Sequence, residues 1–184
     1  AIGASALGAL TTGAGNTAIG YQAGLLNTTG GGNTYIGADV ADATHVDSSH
    51  NTVIGQTSFG GSHTGSASNY NVVVGRAAMI GALNGVDGAV AIGYGSLSAL
   101  TTGAGNVAVG YTAGTALTTA ARNTILGYTA LDGGTTNTDD NVAIGYNAMG
   151  GAIGTEAVND CVAIGSGALA GALDSTNGAD ESSA

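Results

Sequence analysis

Apolar and polar positions alternate by two through a five-residue phrase that recurs along this chain. It reads Asn16-Thr17-Ala18-Ile19-Gly20, Asn33-Thr34-Tyr35-Ile36-Gly37, Asn51-Thr52-Val53-Ile54-Gly55, Asn71-Val72-Val73-Val74-Gly75, Asn106-Val107-Ala108-Val109-Gly110, Asn123-Thr124-Ile125-Leu126-Gly127 and Asn141-Val142-Ala143-Ile144-Gly145. Two variants, ending at Gly93 and Gly165, keep the pattern without the asparagine, and Gly3 closes a shortened first copy. β-Branched or aliphatic residues stand one and three places before the glycine, and alternation by two is the mark of a strand. The position between them is mostly small, as at Ala18, Ala91, Ala108, Ala143 and Ala163. Both faces of this strand therefore suit burial. One is expected to fill a coil, and the other, lined by alanine, to approach a partner chain.

From Gly3 to Gly165 the phrase glycines are spaced by 17, 17, 18, 20, 18, 17, 17, 18 and 20 residues. The order of spacings itself repeats, and laying residues 1–90 over 91–180 without a gap matches about 38 of 90 positions. The organisation expected is a five-coil unit over 1–90, its duplicate over 91–180 and a tail at 181–184, forming one continuous solenoid. The chain opens inside a repeat, at Ala1-Ile2-Gly3, so it is expected to be a segment of a longer one. Three places after each glycine comes a small residue, often followed by a larger apolar one, as in Ser58-Phe59, Ala78-Met79 and Ala130-Leu131; this predicts a second short strand. The rest of each coil is Thr, Gly, Asn, Ser and Asp, residues that favour turns and tolerate left-handed backbone. No amphipathic helical period of useful length is present, and frequent glycine disfavours helix. A repeat of this period means stacked supersecondary units. The fold predicted is all-β: a parallel β-solenoid, of the β-roll or β-helix kind, with about ten coils of 17–20 residues, stacked at roughly 4.8 Å per coil.

Stacking places equivalent residues above one another. The phrase asparagines are then positioned for an amide ladder, and Tyr21, Tyr94, Tyr111, Tyr128 and Tyr146, each following a phrase glycine, for an aromatic stack that buries ring area. A coil this short, filled mainly by Ala, Val, Ile and Leu, has a thin core, and association is a usual remedy. A trimer is the preferred state, although spacing does not set the number.

Composition narrows the picture. The net charge is −10, and Arg76 and Arg122 are the whole basic complement, so neither nucleic acid nor an anionic membrane is an expected partner. No apolar run approaches the roughly 20 residues of a spanning helix, and the first residues show no basic-then-apolar leader pattern. With 35 glycines but no proline and no three-residue period, a collagen helix is excluded. Low charge with a positive mean hydropathy argues that the chain folds. Cys161 is alone, so no intrachain disulfide is available.

The run Thr11-Thr12-Gly13-Ala14-Gly15-Asn16-Thr17-Ala18-Ile19-Gly20-Tyr21-Gln22-Ala23-Gly24 resembles the repeats of phage tail-fibre proteins, including bacterial tail-fibre-domain proteins that end in an intramolecular endosialidase-type chaperone. Val90-Ala91-Ile92-Gly93 also resembles the head repeats of YadA-like trimeric autotransporter adhesins, which form left-handed parallel β-rolls. The resemblance covers nearly the whole chain and implies a homotrimeric fibre of a virion tail or cell surface. Adhesin head coils are typically shorter, which favours the tail fibre.

Candidate chemistry is sparse. Gly13-Ala14-Gly15 lacks the lysine and helix of a phosphate loop and reads as a turn. His45, Asp47, His50 and His63 are of types that bind metal or move protons, but the second unit replaces them with Thr135, Asn137, Asp140 and Ile153; they read as turn residues. Asn137, Asp139 and Asp140 offer oxygen atoms to calcium without the repeating calcium motif. Cys161 takes the asparagine position and reads as a small buried residue with no activating base. The pairs Thr11-Thr12, Thr28-Thr29, Thr101-Thr102 and Thr118-Thr119 suggest an ice-binding array, but the longer coils interrupt it. The paired carboxylates of a glycan-cleaving spike do not recur. The expectation is therefore a structural fibre protein, not an enzyme, with no cofactor and no metal. It is expected to pair with itself and to contact other virion tail proteins and a host cell-surface receptor. The candidate receptor contacts are Asn69 and Tyr70 on the long coil before Gly75. A bacterial adhesin head that grips host or matrix surfaces is the alternative.

Overall fold

The computed structural model describes residues 1–63, 65–133, 138–151 and 158–171. They contain nine three-residue strands: β1 (Thr17–Ile19), β2 (Thr34–Ile36), β3 (Thr52–Ile54), β4 (Val72–Val74), β5 (Val90–Ile92), β6 (Val107–Val109), β7 (Thr124–Leu126), β8 (Val142–Ile144) and β9 (Val162–Ile164). All pair in chain order in one parallel sheet. Each phrase lies in register with the next, Thr17 beside Thr34 and Ile19 beside Ile36 at one end, Val142 beside Val162 at the other. Ile2 joins below β1 through a parallel bridge to Ile19. The chain is thus an all-β parallel solenoid of about eight turns, with no helix among the described residues. The expected tail at 181–184 lies outside them.

Two corners cut each strand to three residues. Before the phrase asparagine the backbone is left-handed, at glycines such as Gly105 (φ 70°) and at side-chain-bearing residues such as Tyr70 (φ 59°) and Arg122 (φ 58°). After the strand comes the phrase glycine, at φ 142° for Gly55 and 143° for Gly37. A Cβ on Gly37 would lie 2.7 Å from the carbonyl oxygen of Gly55. Conformation and coil-to-coil crowding both demand glycine there. The phrases also tie the stack together: Thr17 N donates to the Asn33 carbonyl at 2.8 Å, and Gly20 N donates to the Ile2 carbonyl of the preceding coil at 2.8 Å.

Among the described residues the expected second strand is absent. The residues after each glycine form a hydrogen-bonded curl in which alternate residues are left-handed, as at Thr57 (φ 54°) and Phe59 (φ 54°) or Ala77 (φ 58°) and Met79 (φ 48°). An extended segment would carry the chain straight past the narrow coil, whereas alternating backbone hand turns it back. Inter-coil bonds survive the curl: Phe59 N donates to the Ala78 carbonyl at 2.9 Å, and Met79 N to the Ser96 carbonyl at 3.0 Å. Those bonds and the burial of the side chains offset the roughly 1–2 kcal/mol cost of left-handed backbone at a non-glycine residue.

The assignment of strand faces is also corrected. The middle residue of each strand, alanine or larger, is the buried one, and the flanking β-branched and aliphatic residues face outward. Alanine lines the lumen rather than a partner-facing surface, because the lumen must also hold Phe59, Met79, Leu97, Leu131 and Met149 from the curl. Size is balanced coil by coil. Where the inward residue is large, at Tyr35 and Ile125, the curl position beside it is Gly24 or Gly114, and a Cβ there would come within 2.6 Å of the Tyr35 ring or 3.0 Å of the Ile125 methyl.

Candidate functional site

With the lumen filled, what the sheet presents to its surroundings is its outer face. One column runs Thr17, Thr34, Thr52, Val72, Val90, Val107, Thr124, Val142, Val162; the other runs Ile19, Ile36, Ile54, Val74, Ile92, Val109, Leu126, Ile144, Ile164. The second column is apolar throughout, and Ile19, Ile54, Leu126 and Ile164 are among the exposed large apolar residues. Nine strands at about 4.8 Å, each about 10 Å long, make a flat strip of roughly 400 Å². Its apolar part is comparable with the largest apolar patch of a typical monomer, which often serves binding.

Two ridges flank the strip. The leading ridge is the left-handed residue before the first position of each phrase, including His50, Tyr70, Gly88, Gly105, Arg122 and Asp140. Tyr70, 65% exposed, stacks on His50 at 5.1 Å. Arg122 forms a two-pronged pair with Asp140, Nε to Oδ1 and Nη2 to Oδ2 both at 2.7 Å, which holds the Asp140 carboxyl below its usual range. The trailing ridge is the residue after each phrase glycine. There Tyr94, Tyr111, Tyr128 and Tyr146 stack at 4.9–5.8 Å, and the Arg76 guanidinium lies 5.9 Å over the Tyr94 ring. These rings remain about half exposed, so the stack does not bury them as expected. Tyr21 stands apart, because Ala38, Gln56 and Arg76 fill the levels between.

Behind the leading corner the asparagines stack in two runs. Asn33 N and Nδ2 both donate to Asn16 Oδ1, at 2.9 and 3.0 Å, and Asn51 and Asn71 continue upward. Asn71 Oδ1 accepts from Ala89 N at 2.8 Å, where alanine interrupts the amides. Asn106, Asn123 and Asn141 form the second run, capped by Cys161 N on Asn141 Oδ1 at 3.0 Å. Cys161 is buried. Below the sheet the Tyr35 hydroxyl lies buried near Asn27, Thr44 and Asn51 without a partner in hydrogen-bond geometry, and burial pushes the phenol above its ordinary range.

The histidines are not gathered into one site. The His45 ring contacts Asp47, His50 is engaged with Tyr70, and His63 packs edge-on against Phe59 at 4.9 Å with both ring nitrogens buried and unpartnered. Burial, with a smaller contribution from His45, lowers the His63 pKa to about 4. No group of three or more His, Cys, Asp or Glu is placed to hold a metal among the described residues. Asp139 Oδ1 accepts from Ala121 N at 2.7 Å; Thr135, Asn137 and Ile153 lie outside the described residues. The threonine hydroxyls serve the stack, Thr11 Oγ1 donating to the Thr28 carbonyl at 2.9 Å and Thr101 Oγ1 to the Thr118 carbonyl at 2.8 Å. Asn69 does the same, its Oδ1 accepting from Ser49 N at 2.8 Å.

Sequence reasoning found the phrase, the glycines and the asparagines but missed the outward columns and the leading ridge. The signal available was the six-residue offset between the two corners, which pairs Tyr70 with Arg76 and Arg122 with Tyr128. Comparison with protein-family models, with curated proteins and with solved structures finds no match for this chain.

Proposed function

We propose that this chain is a structural segment of an elongated fibre, assembled from three copies and belonging to a virion tail, where it sets length and rigidity behind an element that contacts a host receptor. The observation that carries the reading is the outward strip: two unbroken columns along nine strands, with isoleucine, valine or leucine at every level of one. A solenoid acting alone gains only cross-strand packing from aliphatic side chains on the side away from its core, whereas packing strips around an axis supplies the second core that a thin coil lacks. The repeat resemblance supplies the number three and the fibre setting. The two columns of the face carry only threonine and aliphatic side chains, which favours a mechanical role.

Light scattering on the purified chain, with circular dichroism on the same sample, tests this. The expected result is a β-rich particle of three times the chain mass, and Ile92→Lys is expected to give a β-rich monomer. A folded wild-type monomer overturns the reading.

A further inference from the structure

Resting on the reading that copies of this chain associate, we infer that they do so about an axis parallel to the coil stack, the leading ridge of one copy meeting the trailing ridge of the next, level for level. Rotation about such an axis leaves every coil at its own height, so each leading residue faces the trailing residue six positions later in a neighbouring copy. Only with the ridges at equal levels do both arginines fall opposite a tyrosine.

Three features carry the match. First, size alternates across the seam: Gly88 and Gly105, both exposed and left-handed, fall opposite Tyr94 and Tyr111. A Cβ built on Gly88 meets nothing within 4 Å in its own chain, so a neighbour's ring has room there. Second, both arginines of the chain fall opposite a tyrosine. Arg76 faces Tyr70 and Arg122 faces Tyr128, and guanidinium against an aromatic ring is an attraction that strengthens as water is excluded. Third, the Tyr146 phenol falls opposite the Asp140 carboxylate, a donor against a charged acceptor. Six of the chain's seven tyrosines and both its basic residues lie on these two ridges, a concentration that coil stacking alone does not require. Aromatic rings and arginine are the side chains enriched at protein interfaces. In this arrangement Tyr70 lies between copies rather than against a receptor.

Paired cysteines read the register directly. In a Cys161→Ala background, His50→Cys with Gln56→Cys places one thiol on each ridge at the same level. The strand between them alone spans about 10 Å, beyond the roughly 7 Å limit for bridging Cα atoms, so a disulfide must join different copies. The control, His50→Cys with Tyr111→Cys, offsets the ridges by three coils, about 14 Å. Mild oxidation followed by non-reducing electrophoresis is expected to give covalent oligomers, up to a closed ring, from the matched pair at roughly ten times the yield of the offset pair. Dichroism confirms that both variants fold, and a second matched pair, Asp160→Cys with Ser166→Cys, replaces the first where it does not. A scattering mass of three chains together with equal yields, or none from the matched pairs, overturns the ridge pairing and leaves the fibre reading standing. A monomeric wild type overturns both.

Discussion

The two faces of one sheet follow opposite rules. The inward positions range from alanine at Ala18, Ala91 and Ala163 to Tyr35 and Ile125, and each size is matched within its own coil, by Gly24 beside Tyr35 and Gly114 beside Ile125. The outward positions hardly vary, threonine or valine in one column and isoleucine, valine or leucine in the other. A lumen shared by one strand and one curl is filled coil by coil. Under the proposed association the outer face meets a rigid neighbour of the same pitch and has no such freedom, which accounts for its uniformity over all nine levels.

The largest effect should come from the glycine column that both faces depend on. Gly93→Val puts a branched Cβ against the Gly110 backbone at φ 130°, and a loss on the order of 4 kcal/mol or more should appear in chemical denaturation as failure of the cooperative transition. Next, truncation inside and outside should separate the faces: Phe59→Ala should cost about 3–5 kcal/mol, whereas Ile54→Ala should cost under about 1 kcal/mol in chain stability and act on the oligomeric mass instead. Equal costs would dissolve the contrast.

Acid should act on both sides, at the leading ridge by protonating Asp140 in its pair with Arg122 and more strongly at His63. His63 has a folded pKa of about 4, below its unfolded value, because its ring nitrogens are buried without a hydrogen-bond partner. The unfolded chain therefore binds the extra proton first, and the stability present above about pH 6.5 falls as pH drops toward 4, by up to about 3 kcal/mol. His63→Leu should flatten that part of the pH–stability curve. The smallest effect sharpens the account of local balance. Gly24→Leu alone should destabilise by crowding Tyr35, and adding Tyr35→Ala should recover part of the loss, with a coupling of about 0.5–3 kcal/mol in a double-mutant cycle. Additive losses would mean that coil contents are not matched in pairs.

Legibility in the sequence was uneven for identifiable reasons. The phrase was plain because each coil repeats it, and strand register followed because only one alignment superposes Asn16 on Asn33 and Gly20 on Gly37. The curl was misread as a strand because residue type does not announce backbone hand: Phe59, Met79 and Leu97 are poor choices for positive φ, held there by inter-coil hydrogen bonds and burial. The strand faces were interchanged because Ala18 between Thr17 and Ile19 fits burial on either side. The face that enters the lumen depends on the volume supplied from across the coil.

The sequence by itself determined that this chain is a parallel solenoid, where its coils begin and end, and which glycines and asparagines every coil must repeat, because those constraints are periodic and written into each copy. Only the tertiary structure decided that the alanines line the lumen, that the two flanking columns and two ridges face outward, and that the ring nitrogens of His63 are buried. Those depend on closing each coil and setting it on its neighbour, where side chains 17–20 residues apart come to share one volume.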